Sequence, residues 1–185
     1  ILICNINKNM QSSLFNIHSN NNDIVYTPTI YSKLIIDRIN PQGKILEPCK
    51  GDGSFYKYLP NTSDYCEITE GKDFFQYNKK VDWIIGNPPY SIFLEWLKHS
   101  FSISENVSYF LPINKVFQSQ KIMNLINEYG GIKEIIIVGD GRKYCKFPFG
   151  YSVANFHFKK NYTGETNLII GMEKIKQVLG WGEMK

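Results

Sequence analysis

Four residues at the end of one apolar segment combine unusual backbone constraints with a polar amide. They are Asn87, Pro88, Pro89 and Tyr90, and they follow a predicted strand at residues 81–85. A residue that precedes proline is excluded from the helical region, and proline itself has no backbone N–H. Asn87 and Pro88 are therefore held extended, with the Asn87 side-chain oxygen and the Pro88 carbonyl oxygen free to accept hydrogen bonds from a ligand.

A rigid pair of acceptors suits the methylation of an exocyclic amine. An amine conjugated to a purine ring is a poor nucleophile, and acceptors on both of its N–H bonds favour the pyramidal nitrogen on which positive charge develops. Such an amine is buried inside a duplex, so its base has to turn out into a pocket and stack on an apolar or aromatic side chain, for which Tyr90 is the candidate. The alternative interpretation is a proline-rich turn without a catalytic role.

Two glycines after an earlier apolar segment predict a site for a nucleotide-like cofactor. Residues 44–47 lead into Gly51 and Gly53, and a helix is predicted to follow. Glycine lets the backbone turn sharply and approach a ligand closely, and a helix start offers unpaired N–H groups. The longer glycine patterns of NAD and ATP sites are absent from the sequence, which argues against both cofactors. Taken alone, the glycines fit an ordinary strand-to-helix turn equally well.

Two acidic residues follow the glycine turn in an order that suits a nucleoside. Glu67 lies at the end of a predicted strand, where a carboxylate can accept hydrogen bonds from both ribose hydroxyls. Asp73 and Phe74 follow, and they supply an acceptor and an aromatic wall for an adenine ring. Either acid alone would be read as an ordinary surface carboxylate, so it is their order after the glycines that favours a cofactor site.

The alternation of helical and strand patterns predicts an α/β sheet. Thr27 is predicted to cap a helix whose first residue is Pro28. Residues 153–158 contain Asn155 and His157, so this strand is predicted to lie near an edge of the sheet. The other predicted strands are 44–47, 64–68, 81–85, 107–111 and 135–138.

Length and composition predict one soluble, cytoplasmic domain. A chain of 185 residues that is 43% hydrophobic and 21% charged can close one sizeable core. No apolar run reaches the roughly 18 residues that span a bilayer, and the apolar start at 1–4 is too short for a signal peptide. The four cysteines are far apart and the three histidines are scattered, so neither a disulfide framework nor a metal site is predicted.

A basic and aromatic stretch provides a second candidate for contact with a ligand. The net charge of the chain is +4, which is compatible with a polyanionic partner without requiring one. Arg142 and Lys143 lie close in sequence to Phe147 and Phe149, a combination that suits phosphates and bases. A solvated loop with core aromatic residues is an equally good interpretation.

These motifs resemble those of the DNA amino-methyltransferases, specifically the N6-adenine class in which the cofactor motifs precede N-P-P-Y. The resemblance covers residues 24–160 and rests on the Y-T-P motif at 26–28, the glycine motif at 46–53 and the N-P-P-Y motif at 87–90. It implies S-adenosylmethionine as the cofactor and the N6 amino group of a DNA adenine as the methyl acceptor. The residues implied to bind the cofactor are Thr27, Pro28, Glu47, Cys49, Gly51, Gly53, Glu67, Asp73 and Phe74, and those implied at the base are Tyr90 with Phe147 or Phe149.

The same resemblance implies a Rossmann-like three-layer fold with a mostly parallel seven-stranded sheet and one antiparallel strand. Residues 69–80 leave little room for the usual helix and third strand, so the sheet is predicted to be abridged there. An irregular N-terminal arm, 1–22, and a C-terminal extension, 161–185, flank the predicted methyltransferase domain, 23–160. The extension is too short for a separate target-recognition domain, so loops, the arm, a partner subunit or missing chain would have to select the DNA sequence.

Other functions stay open on the sequence alone. A relative family places the same N-P-P-Y motif against a glutamine side chain of a protein, and an RNA adenine would fit the motif as well. A catalytically inactive copy that binds nucleic acid or a partner belongs to a different class, although the intact N-P-P-Y and G-x-G motifs argue against it. A role in restriction-modification and a role in regulation are equally compatible with the sequence.

Overall fold

The computed structural model describes residues 25–171, so the predicted arm at 1–22 lies outside the described residues. The strands β1 to β7 are Ile45–Glu47, Asp64–Tyr65, Val81–Gly86, Ser104–Pro112, Gly130–Asp140, Ser152–Lys160 and Asn167–Ile170. They form one sheet in the order β2-β1-β3-β4-β6-β5-β7. Because β6 alone runs antiparallel to its neighbours, the predicted mostly parallel α/β sheet of seven strands is confirmed.

Helices cover both faces of the sheet and produce three layers. The helices α1 to α5 are Thr29–Ile39, Phe93–Ile103, Ile113–Phe117, Gln120–Tyr129 and Gly141–Cys145. On one face, α1 and α5 share a core with Ile85 and Phe110. On the other face, α2, α3 and α4 share a core with Val107 and Phe156. Successive strand residues point to opposite faces, so each apolar strand contributes to both cores.

Arg38 fastens α1 to the sheet. Its guanidinium donates to both carboxylate oxygens of Glu134 on β5, at 3.3 and 2.7 Å, and the amide of Asn167 on β7 donates to the same carboxylate at 2.6 Å. Glu134 is buried, and a buried charge is tolerated only when it is paired and hydrogen-bonded. The chain segment that precedes α1 is thereby held in place above the carboxyl ends of the strands.

The sheet is abridged next to β2, as the sequence predicts. Between β2 and β3 the chain forms two short 3₁₀ turns, Ile68–Glu70 and Phe74–Gln76, and no strand is present in these described residues. The seventh strand lies at the opposite edge, where β7 pairs parallel with β5. The sheet therefore continues past residue 160, into the segment that the sequence analysis assigned to a C-terminal extension.

Two local expectations about helices are wrong. The first helix begins at Thr29 with Pro28 as the preceding residue, and no side chain caps it, so Thr27 is free to face elsewhere. After Gly53 the chain forms only a 3₁₀ turn, Tyr56–Tyr58. Leu59, which follows this turn, is extended with ψ 156°, because the next residue is a proline that disfavours the helical conformation before it.

The expectation that residues 153–158 lie near an edge is also wrong, because β6 lies between β4 and β5. Asn155 and His157 are buried there. The hydroxyl of Ser108 donates to the Asn155 side-chain oxygen at 3.0 Å, and His157 Nε2 lies 3.1 Å from the side-chain oxygen of Asn106. Neighbouring strands supply partners to the Asn155 side-chain oxygen and to the His157 ring, which lowers the cost of burying these two groups.

The buried imidazole of His157 predicts a loss of stability in acid. Burial, reinforced by the nearby Lys133, lowers the pKa of His157 to about 4. The unfolded chain binds a proton at His157 near pH 6.5, whereas the folded chain does so only near pH 4, so the free energy of unfolding falls as the pH drops through this window. Between pH 6.5 and 4, wild type should lose roughly 3 kcal/mol more than the His157→Gln variant, as measured by urea denaturation.

The same substitution at His99, which lies outside this network, is the matched control. If wild type and His157→Gln lose stability in parallel over this pH range, the buried neutral imidazole is not the cause.

Candidate active site

A cavity of about 360 Å³ lies at the carboxyl ends of β1, β2 and β3. Its lining residues come from four chain segments, within 25–27, 47–55, 67–74 and 87–96. In an open α/β sheet, ligands bind in the crevice outside the carboxyl ends of the strands, where the strand order reverses. Here the chain passes from β1 outward to β2 and then back to β3, so the cavity lies at this reversal.

Most of the predicted cofactor-binding residues line this cavity. They are Thr27, Glu47, Cys49, Gly51, Glu67, Asp73 and Phe74. Pro28 and Gly53 are not part of the cavity wall. Pro28 leads into α1, while Gly53 has φ +78° and donates its N–H to the Lys50 carbonyl at 2.8 Å, which shapes the turn.

Glu67, the acid predicted to bind ribose, accepts a hydrogen bond from the glycine turn. The Gly51 N–H donates to one carboxylate oxygen of Glu67 at 2.8 Å, while the N–H and hydroxyl of Thr69 donate to the other at 3.2 and 2.8 Å. Gly51 has φ +52°, and a Cβ at this position would lie 3.0 Å from the ring of Tyr26. Glycine is therefore required at position 51 by both conformation and space.

Phe74 and Trp96 form an aromatic wall, with ring centroids 4.5 Å apart. The indole N–H of Trp96 donates to the Tyr109 hydroxyl at 3.1 Å, which fixes the plane of the indole. Asp73 begins the turn that carries Phe74, since its carboxylate accepts the backbone N–H two residues later at 2.9 Å. The sequence analysis missed Trp96, although its position three residues after the apolar Phe93 places it on the buried face of α2.

Three buried side-chain oxygens on residues of the cavity wall have no hydrogen-bond partner within residues 25–171. They are Oγ1 of Thr27, Oε2 of Glu47 and Oδ1 of Asn87. Buried polar atoms are nearly always paired, and an unpaired one carries a cost of about 1–3 kcal/mol. Their gathering in one cavity indicates a ligand that brings hydrogen-bond donors.

Glu47 is an uncharged acid at neutral pH. It is 1% exposed, and burial, with the neighbouring Asp52 carboxylate, raises its pKa to about 9. Burial in a low-dielectric site disfavours the ionised form, whereas a cation placed beside it favours ionisation. A perturbed carboxyl group in a cleft is a recognised marker of functional sites.

Asn87 is held both by its side-chain amide and by its backbone carbonyl. Its Nδ2 donates to the Val25 carbonyl at 2.8 Å, and since a carbonyl can only accept, this contact directs Oδ1 away from Val25. The Cys49 thiol donates to the backbone carbonyl of Asn87 at 3.0 Å. Burial raises the pKa of the Cys49 thiol well above its usual range, so the proton for this hydrogen bond is retained. The free acceptor at Asn87 is thus preoriented.

The structure separates the predicted base-stacking residues. Tyr90 is buried and is not part of the cavity wall; its ring meets that of Phe149 edge to face, with centroids 6.0 Å apart. Phe147 is buried in the core, with its ring 6.4 Å from that of Phe110. Phe149 is therefore the aromatic residue that lies beside Tyr90, and the two rings would have to part to admit a base between them.

Arg142 and Lys143 lie on the same side of the sheet as the cavity, at the carboxyl ends of the parallel strands. Arg142 and Lys143 are exposed on α5, which directly follows the carboxyl end of β5. Lys159 and Lys160 are at the far end of β6, since Lys159 pairs with Asn106 near the start of β4. Arg142 and Lys143 therefore lie at the carboxyl ends of the parallel strands, whereas Lys159 and Lys160 lie at their amino ends.

Within residues 25–171, no group of three or more His, Cys, Asp or Glu side chains is placed to hold a metal ion. Over the same range, no helix has the length and apolar character needed to cross a membrane.

Comparisons with known proteins identify the fold. No protein-family model and no curated protein sequence matches the chain. Similar solved structures include a Listeria monocytogenes protein described as a class I S-adenosylmethionine-dependent methyltransferase, with TM-score 0.61 and 14% identity over 89% of this chain and 72% of that one. The type I restriction-modification methyltransferase subunit of Streptococcus thermophilus has TM-score 0.62 and 15% identity over 92% of this chain and 55% of that one.

The type IIG restriction endonuclease BpuSI is similar as well, with TM-score 0.63 and 13% identity over 88% of this chain and 30% of that one. The fold is therefore the Rossmann-like fold of class I S-adenosylmethionine-dependent methyltransferases. The chain spans about half the length of the type I subunit and less than a third of the endonuclease.

The buried acid at position 47 predicts a characteristic pH dependence of stability. The folded chain keeps the Glu47 proton up to about pH 9, whereas the unfolded chain releases it near pH 4.5, so the free energy of unfolding falls as the pH rises through this window. Glu47→Gln mimics the protonated acid and should increase the free energy of unfolding more at pH 8 than at pH 5. Urea denaturation at both pH values measures the difference, with Asp37→Asn on α1, outside the cavity, as the control. Equal increments at the two pH values would contradict an uncharged Glu47.

Proposed function

We propose that this chain transfers a methyl group from S-adenosylmethionine to the N6 amino group of an adenine turned out of DNA. The observation that carries the proposal is the set of three unpartnered oxygens, on Thr27, Glu47 and Asn87, in one cavity of a methyltransferase fold. Thr27 and Glu47 would accept from the ammonium of the cofactor, and Asn87 from the target amine. S-adenosylmethionine and the target adenine together would supply hydrogen-bond donors to all three oxygens.

The charge of the cavity supports a cationic cofactor. Its acidic lining residues are Glu47, Asp52, Glu67 and Asp73. Of the two lysines in the wall, Lys50 pairs with Glu70, and the Lys72 ammonium lies 3.5 Å from the centroid of the Tyr65 ring. When bound, S-adenosylmethionine supplies a methyl group on a positively charged sulfur, and an excess of acidic groups favours such a ligand.

One wall of the cavity suits the nucleoside part of the cofactor. Phe74 and Trp96 offer aromatic surface to an adenine ring. Asp73 lies beside Phe74 as a hydrogen-bond acceptor. The Glu67 carboxylate is held by the glycine turn, and a carboxylate accepts more hydrogen bonds than the three that Glu67 already receives, so it retains capacity for ribose hydroxyls.

The acceptor at Asn87 accounts for the reaction at an amine. An N–H of the adenine amino group would donate to Oδ1 of Asn87, while the Val25 carbonyl keeps the amide from rotating. Accepting this N–H favours the pyramidal nitrogen as positive charge develops, and a preoriented acceptor requires no rearrangement at that moment. The Pro88 carbonyl would take the second N–H, since two consecutive prolines hold the turn extended.

DNA is the proposed substrate because basic and aromatic groups lie at the edge of the sheet that carries the cavity. Arg142 and Lys143 would contact phosphates, and Tyr90 with Phe149 would enclose the flipped base. Similar structures include a type I restriction-modification methyltransferase subunit, of which this chain spans about half. We therefore place the reaction in restriction-modification, with sequence recognition supplied by a partner subunit or a further domain.

Cofactor binding should depend on Asp73. Asp73→Ala removes an acceptor and a negative charge from the cavity wall, so the affinity for S-adenosylmethionine should fall by about tenfold or more, as expected for the loss of a hydrogen bond to a charged group. Isothermal titration calorimetry measures the affinity. Asp37→Ala, which removes an acid from α1 outside the cavity, is the control and should bind as wild type; unchanged binding by Asp73→Ala contradicts the proposed adenine site.

Methyl transfer should depend on Asn87 while cofactor binding does not. Asn87→Ala removes the acceptor for the target amine, so transfer of tritium from labelled S-adenosylmethionine to DNA should fall by about 10²–10³-fold. Its calorimetric affinity for the cofactor should stay close to that of wild type. Transfer by wild type to RNA or to protein, but not to DNA, would overturn the proposed substrate.

A further inference from the structure

Tyr151 is an exposed aromatic residue on a fixed backbone. Its side chain is 60% exposed, while its carbonyl accepts the Gly141 N–H at 3.0 Å. Its ring lies 6.1 Å from that of Phe149, which lies 6.0 Å from that of Tyr90. Three aromatic rings thus lead from the N-P-P-Y turn to the surface. A row of aromatic rings that ends in an exposed ring offers a stacking surface to a base.

The Arg142 guanidinium lies beside Gly150, the residue that precedes Tyr151 in the chain. The side chain of Arg142 crosses Gly150, where a Cβ would lie 2.6 Å from one of its terminal nitrogens. Gly150 therefore leaves the space that Arg142 occupies, directly before Tyr151. Within residues 25–171 no carboxylate forms an ion pair with Arg142, so its charge is available to a ligand.

Position and charge indicate what that ligand is. Residues 141–151 contain three cationic side chains and no acidic one. This connection lies at the cavity edge of the sheet, since Ser152 pairs with Asp140 at the end of β5 and Val153 pairs with Pro112 at the end of β4. A cationic, aromatic surface at this edge complements a nucleic-acid strand that enters the active site.

We propose that Arg142 and Tyr151 bind one nucleotide of the DNA strand beside the target adenine, with the guanidinium at its phosphate and the phenol ring on its base. The inference rests on the proposed function and adds a subsite to it. An aromatic face stacks on any base, and a guanidinium matches the geometry of a phosphate. Because stacking requires an accessible base face, this subsite favours single-stranded or locally opened DNA over a fully paired duplex.

The test measures binding of a fluorescent, adenine-containing single strand to the 185-residue chain by anisotropy, with S-adenosylhomocysteine at saturation. Tyr151→Ala should weaken binding about tenfold, and Tyr151→Phe should bind as wild type, because the ring and not the hydroxyl makes the contact. Arg142→Ala should weaken binding. It should also reduce the slope of log affinity against log salt concentration by about the amount expected for one lost phosphate contact.

Two controls match these variants. Lys160→Ala removes a cation from the amino ends of the parallel strands, on the side of the sheet opposite the cavity. Leu168→Ala removes an exposed apolar side chain from β7. Both variants should bind DNA as wild type. Calorimetric binding of S-adenosylmethionine to each variant should be unchanged, which shows that the site is folded. In methyl transfer, Tyr151→Ala should raise KM for DNA with little change in kcat.

The outcomes separate this inference from the proposed function. If wild type methylates DNA and Tyr151→Ala does so with an unchanged KM and DNA affinity, the nucleotide subsite is overturned while the proposed function stands. If wild type binds the cofactor but methylates no DNA, the proposed function fails and this inference fails with it.

Discussion

The geometry of the candidate active site depends on the hydrogen bond between the Asn87 amide and the Val25 carbonyl. With the Cys49 thiol on the Asn87 backbone carbonyl, it leaves one acceptor, Oδ1, buried and without a partner in the described chain. Val25 belongs to the segment that leads into α1, and α1 is fastened to the sheet by Arg38 and Glu134. The segment before α1 therefore orients the Asn87 amide, and the proposed acceptor for the target amine is preoriented at the expense of an unpaired atom.

The acidic side chains of the cavity wall are accommodated in two different ways. Glu67 receives hydrogen bonds from the glycine turn and Asp73 caps its own turn, so these two carboxylates are stabilised by backbone N–H groups. Glu47 is the most deeply buried and stays protonated at neutral pH. An uncharged acid is less costly to bury than a carboxylate, and it becomes a charged partner once a cationic ligand is placed beside it.

Sequence patterns predicted the parts of the site that local backbone chemistry determines. Prolines on both sides of a peptide bond and glycines with positive φ constrain their own segments, so Asn87 and Gly51 could be assigned before any contact was known. Tertiary contacts decide the rest. The helix expected after Gly53 is cut short, Trp96 enters the cavity wall from α2, and Tyr90 packs against Phe149 rather than lining the cavity. The burial of polar residues in β6 followed from partners on neighbouring strands, which no local pattern reveals.

The central claim is tested most directly by identifying the methylated product. DNA incubated with the chain and S-adenosylmethionine would be digested to nucleosides and separated by liquid chromatography with mass spectrometry. The account predicts N6-methyl-2′-deoxyadenosine, absent when the Asn87→Ala variant replaces wild type. A methyl group on a cytosine or on another position of adenine, or unmodified DNA from a chain that binds the cofactor, would contradict the account.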